Sequence, residues 1–449
     1  MKAIIIGAGK VGYSLASVLS KEGHEVTVVD ANRRRLDMLA EHLDINVVEG
    51  NAAQLDTLIN AGVENAGLFA ATTEKDELNM VACFMAKQAG AASTVARVRN
   101  PGYSDFDDAA RLEALGIDMI INPERVTAEE IYKLINHPEA HYVGYFGGGT
   151  VQVVEVRIPI VCDKQNVPLM DLTFPCPGLI IAIEREGELI IPRGQAVLQA
   201  GDEVLLIANT KNMRALESYL GVNSSKVSSV AIMGGGFAGY YLASMLEQRH
   251  KKLQIKLIEE DFARCEEMAQ SLKETVIINN SGFSLQLFED ENIAAVDIFV
   301  ALTEDDKENL FSCVLAKSLG AKKTIAQIRG GDFINIIEKT GIDKAISPRN
   351  LTADGILRFI NRRHILSLTR FEGHSGQITE LLIPEHAVCA GKTLMDLEIP
   401  EQAIVCMIIR GSEHIIPQGK DMLQSGDQVI LFALPEALDE AEELLTAVR

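Results

Sequence analysis

Along the first 135 residues, short apolar runs alternate with stretches whose apolar positions recur at helical spacing. The runs predict strands at about Lys2–Ile6, Glu25–Val29, Asn46–Val48, Leu68–Ala71, Thr94–Val98 and Asp118–Ile121. The periodic stretches predict helices at about Val11–Lys21, Asn32–His42, Leu55–Asn60, Asp76–Gln88, Phe106–Leu115 and Glu124–Ile135. Strand–helix alternation at this spacing is the pattern of a doubly wound parallel sheet. From residue 141 the texture changes. Shorter β runs at Val151–Ile158, Leu179–Arg185, Glu188–Ile191 and Glu203–Ala208 are punctuated by Pro159, Pro168, Pro175, Pro177 and Pro192. They predict a small α+β domain closed by a helix at Asn212–Leu220.

The whole plan is then written a second time. Gly7 and Gly234 begin similar glycine turns, 227 residues apart. Thr73-Glu74-Lys75-Asp76 and Arg99 match Thr303-Glu304-Asp305-Asp306 and Arg329, at an offset of 230. Leu169-Met170-Asp171-Leu172 matches Leu394-Met395-Asp396-Leu397, at 225. Ala200-Gly201-Asp202 matches Ser425-Gly426-Asp427, again at 225. A near-constant offset over the full length is tandem duplication with loop indels, and the period is far too long for a solenoid unit. The expected organisation is therefore two Rossmann-like doubly wound parallel-sheet domains of the α/β class, at 1–135 and 228–362. Each is followed by a small α+β domain, at 140–222 and 366–449.

The chain has 449 residues and a net charge of −21, without a basic block. That balance argues against a nucleic-acid partner and against adsorption to an anionic membrane surface. Seven cysteines stand scattered without a C-x-x-C pair, so neither a zinc site nor a disulfide framework is suggested. No run approaches the ~18 apolar residues of a membrane-crossing helix.

The candidate chemistry lies in the glycine turns. Gly7-Ala8-Gly9-Lys10-Val11-Gly12 has G-x-G-x-x-G spacing after a strand and before a helix. In such a turn the first glycine takes the bend, the second lets backbone approach a pyrophosphate, and the third lets helix pack on strand. Phosphates then rest on helix N-terminal amides. Asp30, 18 residues after Gly12, stands where a carboxylate accepts hydrogen bonds from the adenosine ribose and repels a 2′-phosphate. In the second copy Gly234-Gly235-Gly236-Phe237-Ala238-Gly239 keeps the spacing and Glu259 takes the place of Asp30. Phe237 and the acidic run Glu259-Glu260-Asp261 make that copy the less favourable anion site. Thr73, at the carboxyl end of a strand, reads as a helix N-cap at the ligand edge. Arg97 and Arg99 share a strand face and call for anions nearby. No Walker, H-E-x-x-H or G-x-S-x-G motif occurs, and His137 and His141 show no carboxylate partner at a readable spacing. An NAD-dependent oxidoreductase stays open as the alternative, one without visible catalytic groups.

These stretches, with Glu74 through Cys83, Ala96 through Pro101, Ala316 through Lys323 and Ala345 through Pro348, resemble the TrkA family of Trk potassium-uptake regulators, whose halves are RCK (KTN) domains. The resemblance covers the whole chain. It implies a non-enzymatic, peripheral cytoplasmic subunit on the inner face of the plasma membrane. Such a subunit gates a TrkH/TrkG-type membrane partner and assembles with copies of itself into a tetrameric ring of RCK domains. It implies binding of NAD(H), and of ATP or ADP in some members. The contacts would fall on Gly7, Ala8, Gly9, Lys10, Val11, Gly12, Asp30, Asn51, Thr73, Glu74 and Arg97. A second set would fall on Gly234, Gly235, Gly236, Phe237, Ala238, Glu259 and Thr303. The chain departs from the family pattern at Glu49-Gly50-Asn51-Ala52, where many relatives carry Gly-Asp, and at the counterpart Asn279-Asn280-Ser281-Gly282.

Overall fold

A computed structural model describes residues 1–21, 23–104, 112, 114–222, 226–281, 285–330, 340–360, 365–370 and 376–448. Most of the helix expected at Phe106–Leu115 and Gly282 of the second copy lie outside the described residues. The chain forms two compact units, Met1–Tyr132 with Val227–Ile360, and Lys133–Lys226 with Asn361–Arg449.

The first unit contains two parallel sheets. The first is built from β1 (Lys2–Ile6), β2 (Glu25–Asp30), β3 (Asn46–Glu49), β4 (Leu68–Ala71), β5 (Thr94–Arg97) and β6 (Met119–Ile121), in the order β3-β2-β1-β4-β5-β6. In β1, Ala3 and Ile5 enter one core while Ile4 and Ile6 enter the other. Burial on both faces is why the run is continuously apolar rather than alternating. Numbering only helices of eight residues or more, α1 (Lys10–Lys21), α2 (Arg33–Ala40), α3 (Asp76–Gln88) and α4 (Pro123–Asn136) belong to this copy. Helix α1 buries Gly12, Leu15, Ala16 and Leu19. Helix α2 starts at Asn32, whose Oδ1 accepts from Arg34 N at 3.1 Å.

The second sheet repeats the order as β14-β13-β12-β15-β16-β17. Its strands are β12 (Ser229–Met233), β13 (Gln254–Glu259), β14 (Thr275–Asn279), β15 (Ile298–Ala301), β16 (Lys323–Gln327) and β17 (Lys344–Ile346). Its helices are α5 (Phe237–Arg249), α6 (Phe262–Ser271), α7 (Asp306–Leu319) and α8 (Pro348–Ile360).

The two copies exchange their last helices. Ile356, Leu357 and Phe359 of α8 sit in the core of the first sheet with Leu15, Leu19 and Ile121. Reciprocally, α4 meets α5 and its flanks. Tyr132 Oη lies 3.1 Å from His250 Nε2, the Arg249 guanidinium lies over the Tyr132 ring at 5.0 Å, and Asn122 Nδ2 donates to Tyr241 Oη at 3.2 Å.

The second unit holds two antiparallel sheets. One has the order β10-β9-β11-β8-β7 and the other β18-β19-β22-β20-β21. The strands are β7 (Ala140–Phe146), β8 (Val151–Arg157), β9 (Gly178–Arg185), β10 (Glu188–Ile190), β11 (Glu203–Asn209), β18 (Ile365–Arg370), β19 (Gln377–Leu382), β20 (Ala403–Arg410), β21 (Glu413–Ile415) and β22 (Gln428–Ala433). Helix α9 (Pro435–Thr446) closes the second of them. The two sheets share one core, in which Phe146, Val153, Ile181 and Ile207 pack with Ile378, Met407, Ile430 and Phe432. The repeated Gly-Asp turns have a plain structural use. Asp202 receives Arg185 Nε at 2.8 Å and Nη2 at 2.7 Å, and Asp427 receives Arg410 at the same two distances.

The histidines do have carboxylate partners, contrary to their reading from spacing. His137 is buried between Glu217 (Nδ1 to Oε1, 3.2 Å) and Gln152 (Nε2 to Nε2, 2.7 Å), and His141 Nδ1 lies 3.4 Å from Glu203 Oε1. The partners are too distant in sequence for a local pattern to expose. All seven cysteines are free. Burial pushes the thiols of Cys83, Cys313 and Cys406 upward, so these act as small apolar residues.

Two outcomes follow from this packing. Leu357→Ala should destabilise the first unit by ~2–4 kcal/mol, read by chemical denaturation, because it opens a cavity in the other copy's core. Hydrogen bonding from His141 first, then Arg157, holds Glu203 down to about 2 against the opposing effect of burial. A depressed carboxylate stabilises above its unfolded value of about 4.3 and loses that contribution as pH falls toward 2. Glu203→Gln should therefore lower stability by ~1 kcal/mol near pH 6, a figure already discounted for the exposure of Arg157. Variant and parent should converge in thermal midpoint as pH approaches about 2.

Candidate functional site

In the first copy the chain leaves β1 through Gly7, whose φ is +101°. Its N–H donates to Val29 O at 2.8 Å. A Cβ at Gly7 would stand 3.2 Å from Thr73 N, so this turn presses directly on the end of β4. A Cβ at Gly12 would lie 1.9 Å from Gly7 O, which only glycine avoids. Above Gly9 a Cβ would meet nothing within 4 Å. The three glycines thus divide as bend, open approach and close packing.

Asp30, at the end of β2, braces the turn. Its Oδ2 accepts from Ala8 N at 2.7 Å and its Oδ1 from Asn32 N at 2.8 Å. Each oxygen keeps a lone pair for a ribose hydroxyl. Lys10 is exposed at the start of α1, Val11 is half-buried and Ala8 is buried. Asn51 caps its own loop, accepting from Ala53 N at 3.0 Å.

Thr73 is not the N-cap of α3; Lys75 is. Thr73 serves instead in a network centred on Asn79, a fully buried side chain that the sequence reading passed over. Asn79 Oδ1 accepts from Thr73 Oγ1 at 2.6 Å and from Thr73 N at 3.0 Å, and Nδ2 donates to Thr73 O and Arg97 O at 3.0 and 2.8 Å. One side chain thereby ties the ends of β4 and β5 together. The only mark of it in the sequence is the spacing Thr73 to Asn79, repeated as Thr303 to Asn309.

Arg97 closes this edge. Its Nη1 donates to Thr73 O at 3.3 Å, and its Nε is buried without a hydrogen-bond partner. Burial lowers the guanidinium from its ordinary value, and the charge of Glu124 opposes that shift. Arg99 is spent elsewhere, donating from Nε to Glu124 Oε1 at 2.7 Å. Glu74 is exposed. The structure therefore brings Gly7, Ala8, Asp30, Thr73 and Arg97 into one continuous edge at the carboxyl ends of β2, β1, β4 and β5. Ligands of open α/β sheets sit at this edge.

The second copy repeats the scaffold. Gly234 has φ +105°, and a Cβ at Gly239 would lie 2.0 Å from Gly234 O. Gly235 N donates to Glu259 Oε2 at 2.6 Å, Asp261 N donates to Glu259 Oε1 at 2.9 Å, and the space above Gly236 is open. Asn309 holds Thr303 as Asn79 holds Thr73, with Oγ1 to Oδ1 at 2.8 Å. Ala238 is buried. Two features differ. Gln327 replaces Arg97 and makes the same 3.3 Å bond, to Thr303 O, without a charge. Arg264 reaches over the turn, donating to Gly235 O at 3.0 Å and stacking on Phe237 at 5.4 Å. The ring of Phe237 thus carries a guanidinium beside the turn.

These geometries accord with what the chain is similar to. The TrkA-N domain family matches residues 3–123 and 230–348, and the TrkA-C domain family matches 153–221 and 378–446. The Trk system potassium uptake protein TrkA homolog 1 of Methanosarcina mazei is 34% identical over 450 residues, covering 99% of both chains. The Trk system potassium uptake protein TrkA of Halomonas elongata is 36% identical over 447 residues, covering 97% of this chain and 96% of that one. Among solved structures, the GsuK RCK domain aligns over 99% of this chain and 94% of its own, with a TM-score of 0.63 and 17% identity. The GsuK channel bound to NAD aligns over 99% and 78%, with a TM-score of 0.64 and 18% identity. At those identities the likeness is one of fold. By its four matched domains and its full-length relatives, the chain belongs to the TrkA family of Trk system potassium uptake proteins.

Proposed function

We propose that this chain is the nucleotide-responsive regulatory subunit of a Trk-type potassium uptake system, and that its nucleotide is an effector rather than a substrate. The observation that carries the reading is the first glycine turn: open above Gly9, braced by Asp30, and continued by a buried guanidinium donor on Arg97. The ligand class is NAD(H) or ATP/ADP. The NAD-bound and ADP-bound GsuK structures support this class. Site residues are those of the two edges described above, with Asn79 and Asn309 holding them in place.

The exchanged helices supply the route from ligand to output. A nucleotide on the Gly7 turn touches the N-terminal end of α1, which packs on α8 of the other copy. In the sequence, α8 is followed by the second C-terminal domain. Differential binding of, for example, ATP and ADP to two arrangements of α1 against α8 would couple the site to the partner by ~1–3 kcal/mol. The partner is a TrkH/TrkG-type membrane subunit, contacted at the cytoplasmic face. Among the described residues no helix is long and apolar enough to cross a membrane.

Self-assembly into a ring is supported by matching apolar surfaces on equivalent helices. Val81 and Phe84 of α3 are 47% and 43% exposed, and Phe311 and Val314 of α7 are 62% and 38% exposed. Surfaces repeated on the two copies of one chain suit end-to-end association.

The deciding experiment is potassium flux in vesicles holding the membrane partner and this subunit, with nucleotide exchanged; unchanged flux would overturn the reading. Asp30→Ala and Arg97→Gln should each weaken nucleotide binding at the first turn by about 10- to 100-fold, measured by calorimetry, since each removes a charge-assisted hydrogen bond. The double variant Phe84→Asp, Phe311→Asp should shift the protein to a smaller species in light scattering after size exclusion, with its circular dichroism unchanged.

A further inference from the structure

The two copies align residue by residue at the far edge of their parallel sheets, and the alignment exposes a missing anion. β5 pairs β6 with Arg97 opposite Ile121, and β16 pairs β17 with Gln327 opposite Ile346. The flanking contacts coincide as well. Lys87 bonds Asp118 at 2.8 Å and Lys317 bonds Asp343 at 2.7 Å. Thr127 Oγ1 donates to Pro123 O at 2.7 Å and Thr352 Oγ1 to Pro348 O at 2.6 Å. Asn122, Glu124 and Arg99 of the first copy therefore correspond to Ser347, Arg349 and Arg329 of the second.

In the first copy this corner carries its own negative charge. Asn122 Oδ1 caps α4 by accepting from Arg125 N at 3.0 Å. Glu124, in the first turn of α4, favours the positive helix end and accepts from Arg99 Nε at 2.7 Å. In the second copy the same corner has the opposite charge. Arg349 replaces the carboxylate, so two guanidiniums, Arg329 and Arg349, occupy the positions that form an ion pair in the first copy. Helix α8 has no acidic residue in its first turn. Ser347 is the N-cap, since Leu351 N donates to its carbonyl at 3.1 Å. Yet its Oγ, on a residue only 3% exposed, has no hydrogen-bond partner, and neither has Arg349 Nε. Among the described residues, the carboxylates bonded at this corner are already engaged or exposed. Asp306 accepts from Arg329 N at 2.8 Å and Gly330 N at 2.6 Å, and Glu304, 82% exposed, lies 3.6 Å from Arg329 Nη1. A helix N-terminus whose capping residue keeps a buried, unbonded hydroxyl, beside a guanidinium with an unbonded Nε, is the chemistry that takes an anion.

We propose that the N-terminal end of α8, with Ser347, Arg329 and Arg349, binds a small oxoanion, a phosphate ion or a phosphoryl group, which supplies from outside the negative charge that Glu124 supplies within the first copy. The site is separate from the glycine turn of its own sheet. β12 and β17 lie three strands apart, about 14 Å at the usual strand spacing. Because α8 packs on α1, the bound anion would also fix the helix that carries the first glycine turn.

The test uses the full chain and inorganic phosphate. Thermal midpoints are measured in phosphate and in chloride at matched ionic strength. The parent should gain roughly 2–6 °C in saturating phosphate. Arg349→Glu, which installs the first copy's residue, should lose that dependence and match the phosphate-bound parent in chloride. Arg349→Gln should lose the dependence without supplying a charge, which keeps the test valid if the reversal fails to fold. A parent indifferent to phosphate, or an Arg349→Gln variant that keeps the full response, overturns the proposal. Calorimetry separates the two sources. Phosphate that leaves ATP affinity unchanged marks a free-ion site, and phosphate that competes with ATP but not with adenosine marks a terminal phosphoryl group; either supports the cradle.

Discussion

Burial of one copy's last helix against the other copy's sheet is the constraint on which the first unit depends. A doubly wound sheet needs both faces covered, and an uncovered face leaves apolar side chains in water. Here part of the first sheet's cover comes from Ile356, Leu357 and Phe359, which belong by sequence to the second copy. The two Rossmann sheets are thus joined by more than a linker. Each glycine-turn helix, α1 and α5, rests on a helix whose chain continues toward the opposite copy's C-terminal domain. A ligand that moves a glycine turn by a fraction of an ångström acts on a packed core, and packed cores shift between discrete arrangements rather than deform smoothly.

Much of this was legible in the sequence because it is local. The bend, the open approach and the close packing of a G-x-G-x-x-G turn follow from spacing alone, as does the acid at the end of the second strand. Tandem duplication is legible as a constant offset. What escaped is non-local. Helical periodicity says that α4 and α8 have an apolar face, and says nothing about which sheet that face covers. Glu217 stands 80 residues from His137, and Glu203 stands 62 from His141, so no window pairs them. Thr73 looks like an N-cap because it precedes a helix by the right kind of residue, but a fully buried Asn79 competes for its hydroxyl and wins. Buried asparagines of this sort carry no compositional signal.

The duplication also gives an internal control that a single-copy protein lacks. Where both copies keep a residue, as with Asp202 and Asp427 under their arginines, geometry repeats to within a tenth of an ångström. Such positions hold the fold. Where they part, as at Arg97 against Gln327 or Glu124 against Arg349, the strand register around them is the same, so the change lies in charge and hydrogen-bonding capacity rather than in the scaffold.

Helix exchange has a consequence for how the protein is made. The residues that complete the first sheet's core are translated about 230 residues after that sheet's own last strand. At ribosomal speeds of ~5–20 residues per second, the first sheet waits roughly 10–50 s with an apolar stripe on α1 uncovered. During that interval it is a partly folded species exposed to chaperones and to other nascent chains on the same message. An identical helix from a neighbouring chain would fit the vacancy equally well. Closing the first sheet is therefore a late event of synthesis, set by the time the ribosome takes between residues 132 and 360.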